Sequence, residues 1–154
     1  MSQRNVARAA VISDNVSFGP NVTVEEGAAI GRNVTLVADV LVKRNAIIGD
    51  NAVIGYRDNA APESLPVEDR LVTIGQGAKG RSGAVLYWGV AIGAHTSVGH
   101  NSVVREGTSI GERTYLGSLT VVEGRTRIGR NVGIHSQCHI TAFCDIGDHT
   151  FIGP

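Results

Sequence analysis

Aromatic side chains are scarce in this chain: three Phe, three Tyr and one Trp make up 5% of 154 residues. The core cannot be built around rings, so the 42% of residues that are hydrophobic must pack as stacked aliphatic side chains. Neither sign of charge dominates. Fourteen basic residues stand against 14 acidic ones, which argues against nucleic acid or an anionic membrane as a partner held by broad electrostatic attraction. No apolar run approaches bilayer-spanning length, and the N-terminal MSQRNVARAA lacks the apolar centre of a secretion signal, so the chain is expected to be cytoplasmic.

What the chain has instead is a period of six. From Ile92 every sixth residue is aliphatic: Val98, Val104, Ile110, Leu116, Val122, Ile128, Ile134, Ile140, Ile146 and Ile152. Ile, Leu and Val make up only about a quarter of the residues, so this series is not chance. Four residues after each sits a small or β-branched residue, among them Thr96, Ser102, Thr108, Thr114, Thr120 and Thr126. Each hexad therefore has two inward positions, the first and the fifth. A helix cannot hold a period of six on one face, and a simple strand would alternate throughout, so the unit is a short strand followed by a turn. The same period runs through Ile12, Phe18, Val24, Ile30, Leu36, Val42, Ile48 and Ile54. The fourth position holds residues such as Asn15, Asn33, Asn51, Gly83 and Asn101, the types that enter positive φ at least cost, and marks the turn. Cys138 and Cys144 occupy the fifth, inward position of consecutive hexads, which favours unpaired thiols over a disulfide.

The period breaks once, between Ile54 and Ile74, where Pro62, Pro66 and several charges interrupt it. An excursion loop is expected at about 55–73, within a single solenoid domain spanning 1–154. Gly80 falls on an aliphatic position and should leave a small void. The chain stops in mid-hexad at Ile152, Gly153 and Pro154 with no polar cap in view. The expectation is either a longer parent protein with further C-terminal coils or an end covered by another molecule.

The pattern aliphatic, glycine, two variable residues, small residue, variable residue resembles that of the bacterial hexapeptide-repeat acyltransferases over almost the whole chain. Within that family, VTIGQGAKGRSGAVLYWGVAIGAHTSVGHNSVVREGTSIGERTYLG and GIHSQCHITAFCDIGDHTFIGP are most similar to sugar and nucleotide-sugar N-acetyltransferases. The resemblance implies an all-β, left-handed parallel β-helix with triangular coils of about 18 residues, and so a single β-helix domain of roughly seven coils over 1–154. It also implies a homotrimer, acetyl-CoA as acyl donor bound between neighbouring prisms, and an amino-sugar acceptor.

With three hexads per coil, residues eighteen apart stack at strand spacing, about 4.8 Å. Ser82, His100, Ser118 and Ser136 then form one corner column, and Arg81, Gly99, Gly117 and His135 the next. Val98-Gly99-His100-Asn101 resembles the family's aliphatic-small-His-Asp stretch, in which the histidine is the general base; here Asn101 stands in place of the acid. Imidazole suits proton removal from an amine or hydroxyl near neutral pH. The candidate catalytic residues are thus His100 and Asn101. Ser82, Gly99, Gly117, Ser118 and His135 are candidates for substrate or cofactor binding, with a backbone N–H near Gly117 as oxyanion donor. No metal ligand is assigned. Arg105 and Glu123, eighteen apart above Tyr87, read as an ion pair on an aromatic shelf, and His139 as an outward residue at a subunit contact. Two other readings stay open: a non-catalytic trimerisation or assembly module, and a carbonic-anhydrase-like zinc enzyme. The second has His95 and His100 but lacks a third histidine at the two-coil offset.

Overall fold

The computed structural model describes residues 4–58 and 64–153. Nearly every hexad contributes a strand of two or three residues followed by a tight turn, and the strands stack into three parallel sheets of eight, eight and seven strands. The first sheet begins with Arg4–Val6 and ends with Asp145–Ile146. The second runs from Val11–Ile12 to Phe151–Ile152, and the third from Ser17–Phe18 to His139–Ile140. The result is a parallel β-solenoid of about eight turns rather than seven. The extra turn arises because Arg4–Val6 already pairs with Val22–Val24, ahead of the point where the aliphatic series becomes legible at Ile12.

Residues eighteen apart pair in register, as Ala91 with Ser109 and Ile92 with Ile110. The first-position residues fill a continuous core: Ile30, Leu36, Ile48, Ile54, Leu86, Leu116 and Ile134 are all at most 1% exposed. The fourth position is the turn throughout. Asn15, Asn33, Asn51, His95, Asn101, Arg113, Leu119, Arg125, Gln137 and Phe143 all have φ between 51° and 63°. In the N-terminal half, asparagines in this position form a ladder, with Asn15 Nδ2 donating to Asn33 Oδ1 and Asn33 Nδ2 to Asn51 Oδ1, both at 3.2 Å.

The fifth position changes character along the chain. Ala28, Ala46, Ala78 and Ala84 close their turns by donating their backbone N–H to the carbonyl three residues back. From Thr96 to Thr126 a buried hydroxyl takes over. Thr114 Oγ1 donates to Gly129 O at 2.9 Å and accepts from Val132 N at 3.1 Å, and Ser102 Oγ does the same with Gly117 O and Thr120 N. Each hydroxyl thus satisfies a carbonyl and an amide of the next coil, as buried polar groups require. Cys138 and Cys144 are unpaired, with Cys138 Sγ 3.4 Å from Gly153 O.

The excursion is narrower than the sequence suggests. Tyr56 closes the strand Val53–Tyr56 and Val72 opens the next, so the coil is left only over 57–71, of which 59–63 lie outside the described residues. Val72 pairs with Val40, 32 residues away instead of 18, so 14 residues are inserted. Before leaving, the chain takes a bulge at Gly55 (φ 85°) that pairs Tyr56 with Tyr87 and sets their rings edge to face, 4.9 Å apart. The return carries one short helix, Val67–Arg70, and no helix among the described residues is long and apolar enough to cross a membrane. Two arginines pin the excursion to the coil. Arg57 is hydrogen-bonded to Asp39 Oδ2, and Arg70 Nε lies 3.6 Å from the same oxygen. Asp39 is only 2% exposed and also accepts from Asn21 Nδ2 at 2.9 Å.

Candidate active site

The corner after the second-sheet strand Ser97–Val98 carries the candidate chemistry. Val98 points inward and is buried, Asn101 takes the left-handed turn at φ 53°, and Ser102 is tied inward to the next coil. His100 is left outermost and exposed. Its backbone is fixed on three sides: its N–H donates to Ser118 Oγ at 3.2 Å, its carbonyl accepts from Leu119 N at 2.9 Å, and Asn101 N donates to Ser82 O at 3.0 Å.

His100 forms one wall of a surface groove of about 220 Å³, lined also by Ile47, Gly49, Lys79, Gly80, Arg81 and Ser82. The groove brings an imidazole, a hydroxyl and two cations onto one face. Gly80 borders the groove but is itself buried, and the expected void lies on its inward side, where a Cβ would have Ile48 Cδ1 at 3.7 Å as its nearest neighbour. Lys79 and Arg81 were not singled out by motif. The available signal was positional: Lys79 is an outward sixth-position residue and Arg81 stands directly below Gly99.

The remaining sequence candidates divide. Ser82 shares the groove with His100, and Ser118 touches the His100 backbone. The Ser118 and Ser136 hydroxyls serve the scaffold, because Ser136 Oγ accepts from Ser118 N at 3.1 Å just as Ser118 Oγ accepts from His100 N. The Asn101 side chain lies against the turn below: a Cβ on Gly83 would stand 2.0 Å from its Oδ1. His135 is exposed two coils above His100, its ring edge to face with Phe151 at 5.8 Å. Gly99 and Gly117 are buried and answer a different need from the one expected. A Cβ on Gly99 would lie 2.4 Å from Ser118 N, and one on Gly117 2.2 Å from Ser136 N. These glycines let consecutive coils close on each other and leave no strip for a ligand. The proposed oxyanion donor is likewise engaged, since Gly117 N donates to Ile134 O at 2.8 Å.

A second polar cluster covers the third sheet. Arg105 reaches Glu106 at 3.1 Å, Asp58 at 3.3 Å and Glu123 at 3.6 Å, with its guanidinium carbon 5.1 Å from the centre of the Tyr87 ring. Its hydrogen bond to Glu106 raises the pKa of the guanidinium; burial raises that of the Tyr87 phenol, offset in part by Arg105. The expected ion pair on an aromatic shelf is present, and it is larger than expected because Asp58 from the excursion joins it. His139 faces outward and pairs with Glu123 at 3.2 Å. Among the described residues no group of three or more His, Cys, Asp or Glu side chains is placed to hold a metal ion.

A family model described as the hexapeptide repeat of succinyl-transferase matches residues 10–44 and 89–118. The fold is similar to that of UDP-N-acetylglucosamine O-acyltransferase (LpxA) from Moraxella catarrhalis, at 23% identity and a TM-score of 0.58, over 96% of this chain and 62% of that one. LpxA from Acinetobacter baumannii is similar at 21% identity and 0.64, over 99% and 66%. A hexapeptide transferase family protein from Anaplasma phagocytophilum gives 16% and 0.68, over 96% and 72%. This chain thus spans less than two thirds of the length of either LpxA, and at these identities the likeness is one of fold. No curated protein sequence matches. In its six-residue period, its three-sheeted coil and the matched repeats, the chain is similar to the hexapeptide-repeat proteins.

Proposed function

We propose that this protein transfers an acyl group, in the simplest case acetyl from acetyl-CoA, to an amino sugar carried on a nucleotide. The reading is carried by one observation: His100 is an exposed imidazole on the wall of a groove that also holds Lys79, Arg81 and Ser82. The fold relatives named UDP-N-acetylglucosamine O-acyltransferases support a nucleotide-linked sugar as the acceptor class. Lys79 and Arg81 would face the phosphates of such a molecule or of coenzyme A. His100 would take the proton from the acceptor amine as the amine nitrogen attacks the thioester carbonyl, and would return it to the sulfur as the C–S bond breaks, so that the amide forms and coenzyme A leaves as the free thiol. Asn101 carries no charge and lies against Gly83, so the imidazolium would be stabilised by solvent and by the bound anion rather than by a carboxylate partner.

The working unit would be a homotrimer in the cytoplasm. The outward column of the second sheet supports association, since Val11, Ile47, Tyr115 and Phe151 are all exposed apolar residues along it. The test is thiol release from acetyl-CoA in the presence of nucleotide-linked amino sugars, for the wild type and His100→Ala. A corner residue carries little packing, so the variant should fold and lose turnover by a factor of at least about 100. Equal turnover removes His100 from the mechanism.

A further inference from the structure

The His100 groove is a place of unbalanced charge in a chain that is neutral overall. Lys79 and Arg81 are both exposed, and neither has an acidic partner among the described residues, whereas Arg44, Arg105, Arg113, Arg127 and Arg130 each have one. The rest of the lining is neutral: Ile47, Gly49, Gly80 and Ser82. Above His100 the corner column continues with the hydroxyls of Ser118 and Ser136, and His135 stands beside Ser136 two coils away. Below it, the nearest carboxylate of the column, Asp50, is turned down onto Arg32 N at 2.8 Å. Protonation of His100 therefore adds a third positive charge to a groove whose lining carries no negative one.

An ammonium, a guanidinium and an imidazolium on one wall suit a small tetrahedral dianion such as free phosphate or sulfate. An imidazole gains its charge as pH falls through neutrality. An anion that binds three cations better than two favours the protonated ring, and by linkage the protonated ring favours the anion. A ring that already carries its proton cannot take one from an acceptor amine. The charge that would stabilise the imidazolium after proton transfer thus blocks the transfer when the anion arrives alone.

We propose that the groove binds free phosphate or sulfate together with a proton on His100, and that this anion shuts off acyl transfer more strongly as pH falls. The inhibition rests on the acyltransferase reading above, whereas the binding rests on the groove alone. The probe is sulfate, which stays a dianion throughout the range in which imidazole titrates, with chloride holding the ionic strength constant. By calorimetry the wild type should bind sulfate about tenfold more tightly at about pH 6 than at about pH 8. His100→Gln should show the weaker affinity at both, and the Lys79→Ala, Arg81→Ala double variant should lose binding at both while remaining folded. No binding by the wild type, or a pH dependence that His100→Gln retains, overturns the proposal. Acetyl-CoA should displace the sulfate, and sulfate should slow acetyl transfer most at the lower pH; simultaneous binding of the two, or full turnover with sulfate bound, overturns the inhibition. Sulfate bound with the expected pH dependence by a protein that turns over no acetyl-CoA leaves the anion site standing and overturns the inhibition together with the acyltransferase reading.

Discussion

One methyl group separates two kinds of glycine in this fold. At Gly117 a Cβ would stand 2.2 Å from Ser136 N, which is backbone and cannot yield. Gly117→Ala should therefore destabilise the protein by about 2 kcal/mol or more in denaturant unfolding. At Gly80 the same methyl meets only Ile48 Cδ1 at 3.7 Å, in a strand position without positive φ. Gly80→Ala should stabilise by about 0.4–1 kcal/mol, chiefly by restricting the unfolded chain. The sequence showed Gly80 as a departure from the aliphatic position and Gly117 as one of the repeat's own second-position glycines, but not which neighbour each one meets. That is why Gly80 was legible as a void, whereas Gly117 read as open space for a ligand. Asp148 carries a pH dependence at the same scale. Its Oδ1 accepts from Arg130 N at 2.9 Å, and that bond, more than the Arg130 charge, lowers its pKa. A carboxyl lowered on folding contributes stability that is present above its unfolded pKa and is lost as pH falls through the folded value. Asp148→Asn should melt below the wild type at neutral pH, with the difference closing as the solution is acidified through the carboxylate range.

The strands are too short to hold the coil by themselves, and the turns complete the work. In the C-terminal half the fifth-position hydroxyls bridge each coil to the next. Thr114→Val removes the acceptor for Val132 N and the donor to Gly129 O. The freed amide can fall back on the turn carbonyl three residues earlier, as Ala84 does with Arg81, so the loss should be nearer 1 kcal/mol than the full penalty of two orphaned groups. The sequence showed that these positions prefer small residues; that Thr and Ser there carry a bond to the next coil needed coordinates. The excursion is the element where tertiary contacts matter most. Asp39 reads from its position as one more turn residue, yet Arg57 and Arg70 converge on it from the two ends of the excursion. Asp39→Asn keeps the turn preference and removes the charge. It should cost about 3 kcal/mol, because the buried carboxylate on which two arginines converge, each no more than 25% exposed, loses its charge, and it should make 57–58 and 64–71 more open to limited proteolysis.

At the scale of the whole molecule, the solenoid was legible almost in full, because the period fixes two inward positions in six and the family resemblance implied three hexads per coil. The columns followed from the period: Arg105 does meet Glu123, and Ser118 does meet His100. What the columns could not give is what each side chain does on arrival. Ser118 bonds to the His100 backbone, Asn101 turns toward Gly83, and Lys79 and Arg81 meet His100 in one groove that neither the columns nor the quoted stretch singled out. The function proposed for the molecule depends on that groove taking an anionic thioester next to His100. The most direct measurement is calorimetric titration of acetyl-CoA into the protein, with its mass in solution determined on the same sample. The account predicts binding in the micromolar range by a trimer, weakened at least about tenfold in a Lys79→Ala, Arg81→Ala double variant that remains folded. Absence of binding, or binding that the double variant leaves unchanged, would contradict it.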